Sequence, residues 1–487
     1  MRHSSNSSNR STKVDQSKKK HGASTDGWAL AVALCEKFAS RPNQKADALL
    51  NNLSGAISSE ERRRCQRLFY GAMRHNRLIN HLLDTLIERP PRPQLRAMLA
   101  VALAEWLENI AAGAHIPKLK KSKKDDDGLP SAIFFPGLED DDTLPKIADF
   151  TVERVKKALT PGEAKFANAI LRRCRTLMEE VANSGSLGLR SSHPDWLVRR
   201  WIAEHGSEWT EKTLLYNQIA AEPALRWRAK SPAPVDWLPM TLDALVECTE
   251  SDAPLFSLSV PPLFYHLGEN APWSVALEKL NSGEAYAQDP ATWLAPALAD
   301  VQPGEAVFDL CAAPGGKASY LIEALGDDPA GALVLLDQPG KRIDQLDENL
   351  RKWSGEGIDG PELHLVALDL FEALPDEFGA YNCVLLDAPC SNTGVIRRRP
   401  DVKTRLAPRD LAQCAELQLK LLTKAAEFVA DGGRLIYSTC SLEPEENSGV
   451  VEAFLEANTE WKVTATAQST PGDTAFDGAT VFRLERE

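Results

Sequence analysis

The 487-residue chain carries 69 acidic against 56 basic residues, a net charge of −13, with 43% hydrophobic and 7% aromatic residues. At about 100 to 200 residues per domain this is material for two to four cores, and so acidic a body excludes a grip on duplex nucleic acid by bulk charge. The longest uncharged apolar run in the N-terminal half, Ala97 to Ala104, is far short of the ~20 residues of a membrane span, and nine widely spread cysteines with no C-x-x-C argue against a disulfide framework or zinc knuckle.

Residues 1–26 are rich in Ser and Lys/Arg with no apolar stretch, so a disordered basic tail is expected rather than a secretory signal. From 27 to 184 apolar residues recur at helical spacing, as in Leu30, Val32, Leu34 and Phe38, then Leu68, Phe69, Ala72 and Met73, then Leu78, Ile79, Leu82 and Leu83. Pro90 and Pro91 interrupt, a helix runs from about Gln94 to Asn109, and the period resumes from Ile147 to about Val181, which predicts an all-α domain. Within it, residues 113–145 hold KLKKSKKDDDG and the turn-rich FFPGLEDDDTLP, so a solvated surface insertion is expected there. Gly185 to Ser192 reads as a linker, and residues 190–283, with a helix at Trp196 to His205 and short runs such as ALRWRA, read as a small α+β domain.

From 284 to 487 short apolar strands alternate with amphipathic helices. Strands are expected at Ala306–Leu310, Ala332–Leu336, His364–Leu368, Cys383–Leu386 and Arg434–Ser438, with helices at about Lys317–Leu325, Lys341–Trp353, Arg409–Val429 and Glu445–Leu455. This predicts a doubly wound, Rossmann-like parallel α/β sheet, which binds ligands at the carboxyl ends of its strands. The first strand runs into Cys311, Ala312, Ala313, Pro314, Gly315, Gly316 and Lys317, whose two glycines let the backbone turn tightly and present N–H groups to a ligand at a helix start. Asp337 closes the next strand, 21 residues beyond Gly316, where a carboxylate can accept from ribose hydroxyls. A G-x-G-x-x-G fingerprint and a P-loop are both missing, so a cofactor without phosphates, such as S-adenosylmethionine, fits better than a dinucleotide.

The fourth strand ends in LLDAPCSNTG and the fifth in YSTCSLEPEEN. If those strands are neighbours, about 4.8 Å apart, Asp387, Cys390 and Cys440 converge on one crevice. Cys383 and Cys414 suit buried apolar positions instead. His364 is the only histidine beyond residue 284, so neither a Ser–His or Cys–His dyad nor a histidine zinc site assembles readily here, and no metal is expected. Arg397, Arg398, Arg399, Lys403, Arg405 and Arg409, broken only by Asp401, supply the local basic patch that the body lacks.

FDLCAAPGGK, LLDAPCSNTGVIRRRPDVK and STCSLEPEEN resemble the motifs of the RNA (cytosine-5)-methyltransferases of the Nop/Sun family, and the helical third ending in KFANAILRR resembles the NusB-like domain of the bacterial 16S ribosomal RNA members. The resemblance spans most of residues 27–487 and implies a multidomain chain: an all-α NusB-like RNA-binding domain, an α+β linker domain and a class I methyltransferase domain. It implies that Cys440 attacks C6 of cytosine, that Asp387 bonds N3, and that Cys390 assists loss of the C5 proton and product release. Residues Cys311 to Lys317, Asp337, Asp369 and Asp387 would line the S-adenosylmethionine site, with Asp369 at the adenine edge. A flipped-out base implies single-stranded RNA, met by Arg397, Arg398, Arg399 and Lys403. The insertion, and Ala479 and Thr480 where the family commonly shows an aromatic pair, depart from its pattern.

The expected protein is a cytoplasmic, monomeric methyltransferase of cytosine C5 in 16S ribosomal RNA or a small-subunit assembly intermediate, with no membrane partner. Transfer RNA or large-subunit RNA as substrate, or a non-catalytic ribosome-assembly factor, are the alternatives. Exocyclic amine methylation would want an acidic or Asn-Pro-Pro-aromatic motif where this chain has DAPC.

Overall fold

The computed structural model describes residues 26–41, 44–53, 57–112, 134–247, 249–251, 263–353, 360–372, 379–474 and 476–486. The basic tail up to residue 25 and the lysine–aspartate block of the insertion lie outside the described residues.

Among the described residues, seven helices build the N-terminal unit: Gly27–Ser40, Ala46–Leu50, Ser59–Arg74, Asn76–Leu86, Pro93–Ala111, Thr143–Ala158 and Pro161–Ser184. Their starts follow local chemistry: the Asp26 and Ser58 side chains accept from the N–H groups of Trp28 and Glu61, and Thr160 with Glu163 forms a reciprocal capping box ahead of Pro161. Pro93–Ala111 is apolar on nearly every face and runs through the middle of the unit, with Leu95, Met98, Leu99, Ala102, Leu103 and Trp106 buried.

The expectation of a solvated insertion over 113–145 is corrected for its second part. Phe134, Phe135 and Leu138 are buried against the helical core, Asp141 accepts from the Trp106 indole at 2.7 Å, and Thr143 begins a helix. The segment passes once over the core with its three large apolar side chains turned inward, while Pro136, Glu139 and Asp140 stay exposed, so burial of a few residues anchors a stretch whose average composition is polar. The linker reading of Gly185 to Ser192 is likewise corrected. Leu187–Arg190 is a helical turn, and buried Ser192 accepts from the N–H groups of Arg77 and Leu78 at 3.0 and 3.3 Å. Helices Asp195–His205 and Ser207–Gln218 follow.

The strands in chain order are β1 Ala224–Trp227, β2 Trp237–Pro239, β3 Thr249–Ser251, β4 Leu263–Leu267, β5 Ala285–Ala287, β6 Ala306–Leu310, β7 Ala332–Asp337, β8 Glu362–Ala367, β9 Tyr381–Asp387, β10 Val429–Thr439, β11 Trp461–Ser469 and β12 Ala479–Arg486. A small sheet has the order β2-β4-β1-β5, and a larger one β3-β11-β12-β10-β9-β6-β7-β8. In the larger sheet β6 to β10 are parallel, and β7, β9 and the end of β10 are almost wholly buried between helix layers. The all-parallel expectation is corrected at the other edge: β12 runs antiparallel between β10 and β11, and β3 pairs antiparallel with β11. β11, one strand in from the edge, mixes buried and partly exposed residues along its length, a pattern that an antiparallel strand carries without a crossover helix. The strand order switches between β6 and β9, the place where such sheets hold ligands. Among the described residues no helix is long and apolar enough to cross a membrane.

Candidate active site

Three loops leave the carboxyl ends of β6, β9 and β10 and meet. The β6 loop carries residues 311–317. Gly315 has φ +102°, and a Cβ there would lie 2.6 Å from Leu346 Cδ1, so neither its conformation nor the helix Lys341–Trp353 above it leaves room for a side chain. The loop is held from outside: Ala313 N–H donates to Asp337 Oδ2 at 2.9 Å, Arg342 donates to the Ala313 carbonyl, and Asn349 donates to the Pro314 carbonyl at 2.9 Å. Asp337 therefore shapes the loop as well as lying beside it. Gln338, not singled out from the sequence, donates to Asp369 at 2.8 Å and so joins the acids that follow β7 and β8. Burial, then the charges of Asp337 and Asp387, push the Cys311 thiol up to about 12, so it lines the site as an inert group.

Lys317 meets Asp387 with Nζ 2.6 Å from Oδ2, and Ser438 donates to the other Asp387 oxygen at 3.3 Å. Burial works against the Lys317 charge, but the charge and hydrogen bond of Asp387 outweigh it and hold the ammonium above its ordinary range. Asp309, wholly buried in β6, has no hydrogen-bond partner on either oxygen among the described residues. Burial, then Asp387, raise its pKa well above its ordinary value. Asp387 and Asp309 lie near the Lys317 ammonium and Asp337 near Asp309, so carboxyl groups outnumber cations at this end of the sheet. That excess fits a ligand carrying positive charge and hydroxyl donors, and a sulfonium nucleoside such as S-adenosylmethionine is of that kind.

The parallel pairing of β9 with β10, Asp387 opposite Ser438, brings the other two loops together. Cys390 Sγ and Cys440 Sγ are 3.1 Å apart and both residues are half-buried. The hydrogen bond to Cys440, burial, and the charges of Cys440 and Glu446 raise the Cys390 pKa well above its ordinary value. The two thiols share one hydrogen bond in which either sulfur can be the donor. Asn392, in the left-handed region at φ +66°, donates to the Cys390 carbonyl at 2.7 Å and places Oδ1 3.6 Å from Cys440 Sγ. Gly394 N–H donates to the Cys440 carbonyl at 2.9 Å. Asn392 and Gly394 are site residues that the sequence reading passed over; their place directly after DAPC was the available signal.

The basic run reads differently in three dimensions, and two of its expected RNA contacts are corrected. Lys403 is buried, with Nζ donating to the carbonyls of Arg74 at 3.0 Å and Ser191 at 3.4 Å, and burial followed by Arg74 pushes its pKa far down. Arg398 lies between two buried carboxylates, 2.7 Å from Asp289 Oδ2 and 2.5 Å from Asp477 Oδ2. Both are spent inside the protein because the loop is the seam between its units, where backbone and carboxyl acceptors would otherwise be stranded. Arg397 donates to the carbonyls of Ile219 and Ala220 and stacks on Tyr216. Arg399 keeps 41% of its side chain exposed and lies 3.8 Å from Asp47.

A Rossmann-like sheet with a glycine loop after β6, acids at the ends of its neighbours and a reactive pair of loops beside them defines a methyltransferase. Comparison with known proteins gives the family: residues 292–483 match 16S rRNA methyltransferase RsmB/F. The ribosomal RNA small subunit methyltransferase B of Thermus thermophilus is 30% identical over 397 residues, covering 81% of this chain and 78% of that protein. The probable ribosomal RNA small subunit methyltransferase B of Synechocystis is 28% identical over 423 residues, 83% of each chain. The chain belongs to the RsmB/F family of methyltransferases. The fold as a whole also matches the crystal structure of PH0851, with a TM-score of 0.65 and 23% identity over 96% of this chain and 100% of that one.

Proposed function

We propose that the chain methylates C5 of a cytosine in 16S ribosomal RNA through a covalent adduct at C6. The observation that carries the reading is the pair Cys390 and Cys440, 3.1 Å apart beside Asp387 and the β6 loop. C5 of cytosine is a poor nucleophile until a group adds to C6, and Cys440, hydrogen-bonded to Cys390, is the group placed to add. As Cys440 Sγ bonds C6 its thiol proton passes by way of Asp387 to N3, where the displaced ring electrons collect, and Lys317, paired with Asp387, offsets the negative charge that develops there. S-adenosylmethionine, when bound, supplies the methyl group. The β6 loop, Asp337 and Asp369 with Gln338 are the residues that would hold it. Cys390 then takes the C5 proton while its own thiol proton passes to the Cys440 sulfur as the C6–sulfur bond breaks, so that both thiols are returned and N3 gives its proton back to Asp387.

The remaining assignments rest on this reading. Residues 27–184 form a NusB-like RNA-binding domain, 190–283 a joining domain and 284–487 the methyltransferase domain of a cytoplasmic monomer. Arg399, of the basic run, faces the RNA.

The test is incubation of the protein with tritiated S-adenosylmethionine and unmodified 16S transcript, followed by nucleoside analysis and denaturing gels. Label is expected in 5-methylcytidine, with Cys440→Ala inactive and Cys390→Ala trapped as a protein–RNA adduct. Equal turnover in all three proteins would sink the assignment. Label only on transfer or large-subunit RNA would keep the chemistry and move the substrate.

A further inference from the structure

Each cysteine of the pair is followed by a serine, and both serines are bound by one side chain. Glu446, at the end of the turn Pro444–Glu446, is wholly buried. Its Oε2 accepts from the Ser391 N–H at 2.8 Å and from Gln418 Nε2 at 2.9 Å, and its Oε1 accepts from Ser441 Oγ at 2.6 Å. The two serine hydroxyls lie 3.1 Å apart, and Gln418 also donates to the Pro389 carbonyl at 2.9 Å. Behind the carboxylate, Tyr437 donates to the Glu446 carbonyl at 2.6 Å, and Asn447 accepts from Thr439 at 2.6 Å and donates to the Ser441 carbonyl at 3.0 Å. The strands β9 and β10 fix where the two loops begin, but the cysteines lie beyond the paired residues of both strands and 50 positions apart in the chain.

We infer that Glu446 is a positioning residue, a single buried carboxylate that clamps the Cys390 and Cys440 loops to each other and thereby sets the distance between the two sulfurs. Its charge acts in the same direction. Around Cys390 stand Cys440, Glu446, Tyr437 and Arg399; the Cys440 hydrogen bond, burial and the charges of Cys440 and Glu446 raise its pKa, against the backbone of Asn392 and the cation of Arg399. The same buried carboxylate, after burial itself, drives the Cys414 thiol up to about 12. On Cys390 and Cys440 the carboxylate acts through Ser391 and Ser441.

The inference rests on the proposed roles of the two cysteines, but its test need not. In the full chain, diamide oxidises the Cys390–Cys440 pair to a disulfide at a rate that reports how the sulfurs are held, read by peptide mass spectrometry and independent of methyl transfer. Glu446→Ala is expected to slow this cross-link by about tenfold, and to lower kcat by about a hundredfold, the scale of a ~1 Å misplacement, with the KM for S-adenosylmethionine within about twofold. Glu446→Gln, which keeps the shape and part of the hydrogen bonding, is expected to fall between wild type and Glu446→Ala in both readouts, and it carries the test if Glu446→Ala does not fold. Wild-type cross-linking in either folded variant overturns the clamp, whatever happens to kcat. Slowed cross-linking in a protein that methylates no RNA keeps the clamp and overturns the proposed function.

Discussion

Arg398→Met distinguishes a structural cation from an RNA contact. The guanidinium lies 2.7 Å from Asp289 and 2.5 Å from Asp477, carboxylates whose side chains are 6% and 5% exposed. Burial, then the charge of Asp289, push Asp477 up to about 6 even with Arg398 present. The sign follows: a carboxyl whose folded pKa lies above its ordinary 3.8 is least favourable when ionised, so the penalty is present above pH 6 and relieved as pH falls from 6 toward 3.8. Two units correspond to ~3 kcal/mol. Removing Arg398 leaves two facing buried anions, so a loss of about 3 kcal/mol is expected at pH 7.5, a drop of roughly 6 to 12 °C in Tm for a unit of ~200 residues. At pH 5.5, below that value, the drop should be smaller. Thermal melts of wild type and variant at both pH values, alongside anisotropy with single-stranded RNA, make the measurement. A variant that melts with wild type at both pH values but has lost RNA affinity would refute the structural role.

Lys403→Met should leave RNA affinity unchanged and lower stability by about 1–2 kcal/mol, because the Arg74 and Ser191 carbonyls lose a buried donor, a cost that relief of a buried amine whose pKa is pushed down offsets only in part; a loss of RNA binding in a filter assay would return it to the RNA surface. Glu108→Gln is predicted to lose ~3 kcal/mol in denaturant unfolding at pH 7 and little at pH 2. Burial raises the Glu108 pKa, but Arg74 at 2.5 Å and His75 at 3.1 Å outweigh it and bring the value from 4.5 down to about 2, a contribution present above 4.5 and lost as pH falls through 2. Equal losses at both pH values would show that its charge is irrelevant. Gly394→Ala is expected to cut kcat by about a hundredfold with cofactor binding retained, because its Cβ would stand 2.7 Å from the Cys440 carbonyl oxygen and 2.8 Å from Gly478 Cα, backbone that moves only by shifting Cys440 or its neighbours; isothermal titration and single-turnover kinetics separate the two effects.

The parallel half of the catalytic sheet was legible because each of its central strands is a short apolar run closed by a turn residue, and the helices between them carry a clean 3.6-residue period. β11 and β12 were not, since WKVTATAQS and ATVFRLER are weakly apolar and gain their burial from lying beside β10. The sulfur pair could be read because both cysteines end neighbouring strands, where position along the chain fixes position in the crevice. Glu446 could not, because a loop carboxylate declares its partners only once two loops 50 residues apart are side by side. The linker and the insertion departed from expectation for a related reason: Ser192, Phe134 and Phe135 are isolated inward-facing residues in segments whose average composition is polar.

The basic run shows most plainly why a local count of charge misleads. Lys403 finds the backbone of residue 74, Arg398 the acids at 289 and 477, Arg397 the carbonyls at 219 and 220, and Arg405 the acid at 401. Each of the first three joins the loop after Cys390 to a different part of the chain, so the helical unit, the small sheet and the catalytic sheet are fastened where the chemistry occurs. The reciprocal holds on the other thiol loop: Glu443, three residues after Cys440, accepts from Trp201 at 3.0 Å and from Arg200 at 2.5 Å on the helix Asp195–His205. Electrostatic character beside the thiols is then set by what folding gathers rather than by the run itself. The Lys45 ammonium is pushed down by burial and then by Arg399, Arg405 and Arg342, so cations from the helical unit, the β9–β10 connection and the helix after β7 share one neighbourhood. Like charges accumulate there at a cost to the folded state that Asp47 and Asp401 offset in part, and a phosphodiester strand is the partner whose charge would relieve it.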